Sequence, residues 1–116
     1  TSAYNKFNDR FKERKILMKN WESTKIDIGT VKPYQRTYVT FKCLESLGDV
    51  VTITSSCGCS QGHVSGNNVV VSYKPGDIPK HMASSGLNSY NTSKTIRVHY
   101  INGETDVLQF VGVIKR

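Results

Sequence analysis

Along the first twenty-odd residues, apolar side chains return at every third or fourth position. Tyr4, Phe7, Phe11, Met18 and Trp21 form the stripe, with Leu17 beside it and one heptad-sized gap. That period predicts an amphipathic helix over residues 3–22. Lys6, Arg10, Arg14 and Lys15 fall largely elsewhere on its wheel, and Ser2 is placed to cap its start. From residue 24 the period drops to two. "TKIDIGTV" reads as a short strand ending in a Gly turn, and "KPY" as a turn around Pro33. "QRTYVTFKC" alternates strictly, with Thr37, Val39, Phe41 and Cys43 on one face. "VVTITS" is expected to send Val51 and Ile53 inward. "NNVVVSY" puts Val69, Val71 and Tyr73 on one face and stops at Pro75-Gly76. "TIRVHYI" does the same with Ile96, Val98 and Tyr100. "NGE" is a hairpin turn of the Asn-Gly kind, and "TDVLQFVGVIKR" is the last strand, with Gly112 as its expected bulge. Residues 79–94 show no pattern and read as a long loop.

Short strands at this spacing, with turn signals between them and no intervening helix, predict an all-β antiparallel sandwich of about seven strands. The helix lies outside it. The expected division is a basic amphipathic arm over residues 1–23 and a sandwich over residues 24–116.

Composition changes this picture little. The apolar and charged fractions, 37% and 22%, are those of a globular domain, and no run of eighteen apolar residues exists. The start of the chain is charged and carries no small-residue cleavage site, so no export signal is read there. Charge adds more. The net charge is +7, and residues 1–25 hold seven Lys/Arg against three Asp/Glu. Such a basic segment faces solvent or an acidic neighbour.

The stretch "TITSSCGCSQGH" is the one chemical singularity. Cys57, Cys59 and His63 could hold a metal, but structural zinc wants four ligands, commonly in pairs spaced by two to four residues. Here one residue separates the pair, and Cys43 is the sole further cysteine. Thiol catalysis would need a neighbouring base, for which His63 is the nearest choice. A tight turn at a strand end, opened by Gly58, is the favoured reading. A Cys57–Cys59 bridge would close a very short loop, so free thiols are expected. No cofactor and no catalytic residue is assigned.

The ordered pieces "IDIGTV", "YVTFKC", "VVTITSSCGCS", "YKPGD", "SKTIRVHYINGE" and "LQFVGVI" resemble a bacterial immunoglobulin-like family of unknown function, of the HYDIN/ASH type. The resemblance covers roughly residues 26–114. It departs from the family at Ile28, where an aromatic is usual, and in the short stretch between Cys59 and Val69. It implies a seven-stranded Ig-like sandwich with no catalytic role.

An Ig-like sandwich needs no basic aromatic appendage to close its core. Trp, Tyr and Arg are the residues that anchor interfaces. Tyr4, Phe7, Arg10, Phe11, Arg14, Lys15, Leu17 and Trp21 are therefore the candidate partner-binding residues. The competing reading folds the same helix back over a sheet face or open edge. The functional expectation is a structural, non-enzymatic assembly module docking through its arm onto other subunits or copies of itself. The setting that fits is a tailed-bacteriophage virion, as capsid decoration, neck or tail protein, made in the host cytoplasm. A bacterial cell-envelope or cytoplasmic adaptor is the alternative, and nucleic-acid binding through the basic helix is a weaker one, since acids interrupt the run. No membrane contact is expected. On this reading, removal of residues 1–22 leaves the sandwich folded.

Overall fold

The computed structural model describes residues 18–116. Its elements are β1 (Lys25–Val31), β2 (Thr37–Lys42), β3 (Val50–Ser55), β4 (Ser60–Ser65), β5 (Asn68–Tyr73), a one-turn helix α1 (Lys80–Ala83), β6 (Ser89–Tyr100) and β7 (Thr105–Lys115). They form two sheets, one ordered β1-β7-β6-β3 and the other β2-β5-β4. The protein is an all-β sandwich.

Alternation builds the core as read. Val39 and Phe41 from β2 and Val69, Val71 and Tyr73 from β5 face Ile96, Val98, Leu108, Phe110 and Ile114 across the layer, all buried. Two inner faces meeting this way remove one alternate set of each strand from water. Tyr73 and Phe110 pack edge to face with centroids 5.0 Å apart, and the Tyr73 hydroxyl finds Thr92 Oγ1 at 3.1 Å. The polar end of a buried tyrosine is thereby satisfied.

Several expectations are corrected. Val51 does not point inward; it is exposed, because the β3–β6 register slips between Val50 and Thr52. One extra residue in a strand reverses the faces that follow it. "SQGHVS" is a strand, β4, although Val64 is its one large apolar residue. It pairs in register with β5, and a Cβ on Gly62 would stand 2.9 Å from Ile53 Cγ2, so the missing side chain admits the strand at this approach. The expected long loop ends early: β6 begins at Ser89 and pairs with β7 along its whole length. Residues 18–22 are bends and a single bridge rather than the end of a helix. Tyr4, Phe7, Arg10, Phe11, Arg14, Lys15 and Leu17 lie outside the described residues.

The sandwich is also not wholly antiparallel. β1 runs parallel to β7, and the irregularity sits in β1, between Asp27 and Thr30, where Gly29 has φ 77°. Gly112, expected as the bulge, pairs regularly with Thr92. Its role is close approach: a Cβ there would meet Ile28 Cγ1 at 2.5 Å and the Gly29 carbonyl at 2.9 Å. Replacing Gly112 by Ala should destabilise the fold by about 1–3 kcal/mol through overpacking, measured by urea unfolding. An unchanged midpoint would show that β1 yields freely. Between β1 and β2, Tyr34 holds φ 66° in a turn closed by Gln35 N–H onto the Lys32 carbonyl. That position of a turn with Pro before it favours Gly or Asn, so Tyr34→Asn should raise stability by about 1 kcal/mol in the same assay.

Candidate functional site

The described foot of the N-terminal segment is tied into one end of the sandwich by a buried carboxylate. Asp106 stands at the start of β7 in the inward phase of the strand, fully buried. A bare carboxylate there would cost several kcal/mol. It is instead surrounded by donors. The Lys19 amide (3.1 Å), Trp21 Nε1–H (2.8 Å) and Tyr100 hydroxyl (2.5 Å) all donate to Oδ2, and the Met18 amide donates to Oδ1. Burial first, and then the hydrogen bond to Asp106, push the Tyr100 hydroxyl far above its ordinary range. It therefore stays protonated and donating.

Trp21, named among the partner-binding residues, is here a core residue at 7% exposure. Its backbone extends the β2 side of the fold: Trp21 bridges Cys43 antiparallel, Glu22 N–H donates to the Lys42 carbonyl at 2.9 Å, and Leu44 N–H donates to the Asn20 carbonyl at 2.8 Å. Trp21 therefore belongs with the sandwich. Around it, Lys19 Nζ lies 3.0 Å from Asp49 and 5.2 Å from the centre of the Tyr100 ring. Burial raises the Cys43 thiol, which stays protonated and donates to the Asn20 carbonyl at 3.7 Å.

Asp106, Asp49 and Lys19 were not singled out from the sequence, and Tyr100 was read there as an inward strand residue and not as part of a site. One signal was present: Asp106 shares the inward phase with Leu108, Phe110, Gly112 and Ile114. A charge in that phase demands partners. Exposed Met18, Leu44 and Ile101 flank the same end. Residues 1–17, which precede this end in sequence, hold five Lys/Arg against two Asp/Glu.

The cysteine turn occupies the opposite end. Cys57 and Cys59 are joined in a disulfide with Cα atoms 5.3 Å apart, within the usual range for a bridge. The expectation of free thiols at this pair is corrected: the chain turns tightly enough between them for the sulfurs to meet. As a disulfide they offer no thiolate to a metal. Cys43 is the free cysteine. It adjoins Asn67, before β5, whereas the Cys59 carbonyl accepts from Lys74, after β5, so a sheet's length separates them. His63 faces outward on β4, exposed. Among the described residues, no three His, Cys, Asp or Glu side chains converge on a metal-sized site.

Asp106→Asn should destabilise the fold by about 3 kcal/mol, because an amide presents donors where donors already point. Trp21 is the sole tryptophan, so its fluorescence should shift to longer wavelength in this variant. Emission and melting like those of the parent would dismiss the carboxylate as the organiser.

No family model and no curated protein matches the chain. Among solved structures it is similar to a variant of the SrpA adhesin from Streptococcus sanguinis, at 14% identity and a TM-score of 0.51, over 83% of this chain and 55% of that one. It is also similar to a sialyltransferase from a Photobacterium species, at 12% identity and a TM-score of 0.36, over 81% of this chain and 18% of that one. The chain thus spans about half the length of the adhesin, and what they share is the fold.

Proposed function

We propose that this chain is a non-enzymatic assembly module, an Ig-like sandwich that joins a larger protein assembly through the basic, aromatic segment ahead of Met18. The observation that carries the reading is the Asp106 knot. Three hydrogen bonds from residues 18–21 to Asp106, and the burial of Trp21, hold the described foot of that segment on the sandwich. A rigid foot beneath a segment rich in Phe, Tyr and Arg suits an anchor whose partner supplies the remaining contacts. The immunoglobulin-like assignment is supported by strand order. β2-β5-β4 and β7-β6-β3 correspond to the B-E-D and G-F-C arrangement of such domains, with β1 beside β7.

The setting we propose is a tailed-bacteriophage virion, where small sandwiches of this size serve as decoration, neck or tail proteins. The partners are its other protein subunits or further copies of the chain. The disulfide gives a second reading some weight. Such bonds persist on virion and cell surfaces and in the bacterial periplasm, so an adaptor of the cell envelope fits the same bond.

Two truncations test the docking role. Removal of residues 1–17 should leave the melting midpoint within about 2 °C of the parent while abolishing incorporation into the assembly. Removal of residues 1–22 also takes Trp21 and two amide donors from Asp106, and should cost about 3–5 kcal/mol. Circular dichroism melting and light scattering read both. Mass spectrometry of purified particles and of fractionated cells separates virion from envelope. A chain lacking residues 1–17 that still assembles would sink the proposal.

A further inference from the structure

The Cys57–Cys59 bridge is poorly placed to be a staple. It spans one residue, and closing so short a loop removes little entropy from the unfolded chain. The turn is already held by backbone bonds: Ser56 N–H donates to the Thr95 carbonyl and Lys74 N–H to the Cys59 carbonyl, both at 2.9 Å. Its chemistry is more telling. Both cysteines are partly exposed, and the two residues line different clefts. Cys57 lines a groove of about 550 Å³ with Ile53, Ser55 and Ser60. Cys59 lines a polar cleft of about 270 Å³ with Arg36, Gln61, Ser72 and Lys74. Arg36 is held there by its Nη1–H donating to Ser72 Oγ at 2.5 Å.

The sulfurs are therefore unlike. Cys57 Sγ accepts the Cys59 amide at 3.3 Å and lies 3.9 Å from Ser60 Oγ. Those groups stabilise a thiolate on Cys57. The Cys59 cleft instead offers two cations and no carboxylate, which draws an anion toward that cysteine. A good leaving sulfur beside an electropositive approach is the arrangement that thiol–disulfide exchange requires.

We propose that this turn is a thiol–disulfide exchange site for a thiol that carries negative charge, entering through the Arg36–Lys74 cleft. The substrate thiolate attacks Cys59 Sγ and forms a new S–S bond. The Cys57–Cys59 bond breaks, and its electron pair leaves on Cys57, where the Cys59 N–H and the Ser60 hydroxyl receive it. A second substrate thiolate then attacks the substrate sulfur of the mixed disulfide. Cys59 departs as a thiolate and takes a proton from water. The substrate is oxidised to its disulfide by two electrons, and the protein pair is reduced to the dithiol. This activity is independent of the docking role, since the cleft and the arm foot lie at opposite ends of the sandwich.

The test uses the full chain with two small thiols, reduced glutathione (net negative) and cysteamine (net positive), at equal thiolate concentration and low salt. Loss of the disulfide is followed by alkylation and peptide mass mapping of Cys57 and Cys59. Glutathione should react about tenfold faster. That preference should collapse with Arg36→Gln plus Lys74→Gln and with added salt. Equal rates, or a preference that survives both changes, would overturn the proposal. A brief, acid-quenched reaction of the parent with reduced glutathione supplies the second arm: fragment mass mapping should find the mixed disulfide trapped on Cys59 rather than on Cys57. Equal trapping, or trapping reversed, would overturn the assigned direction of attack. Trp21 emission reports that each variant is folded.

Discussion

A carboxylate removed from water organises this molecule. Asp106 points into an apolar layer, and its charge has to be met by donors that the sandwich strands alone do not supply. Tyr100 provides one from the neighbouring strand. The other three come from residues 18–21, which lie some eighty-five positions away in sequence. Folding of the last hairpin is thus coupled to capture of the chain's early segment. The same capture drops the indole of Trp21 over the open end of the core, so one interaction closes the layer and sets the point where the arm begins.

From that coupling follows a molecule with two unlike ends. The strands run from the Asp106 knot to the Cys57–Cys59 turn, and a strand of six residues covers roughly 20 Å. One end presents Met18, Leu44 and Ile101 beside the foot of a basic segment. The other presents a disulfide between Arg36, Lys74 and a line of hydroxyls.

Alternation made most of this fold legible. Wherever a strand is half buried and regular, as in β2, β5 and the second half of β6, the inward set was readable residue by residue. It failed where a local feature overrode the period. The slip after Val50 turned Val51 outward, which hydrophobicity alone does not encode. In β4, pairing with β5 makes a strand of a segment with little apolar character of its own. Trp21 was misplaced for a different reason: aromatics three and four apart extend a helical stripe on paper, yet the last of them was claimed by a carboxylate across the fold. The disulfide was missed because one-residue spacing usually forbids the approach, whereas here the two Cα atoms stand 5.3 Å apart.

The position of that disulfide also bears on the sandwich's weakest flank. β3 and β4 are the edge strands of their sheets on the same side, and "VVTITS" and "SQGHVS" hold no Lys, Arg, Asp or Glu between them. Uncharged edges invite pairing with other chains. Here the slip at Val50–Thr52 twists one edge, and Gly62 packed on Ile53 draws the two together. The cysteine turn joins them, and it is anchored to the neighbouring strands by the Ser56 N–H to Thr95 carbonyl and Lys74 N–H to Cys59 carbonyl bonds. The two strands least protected by charge are therefore held by those backbone bonds and by the Gly62–Ile53 contact, so exchange of the disulfide need not loosen them.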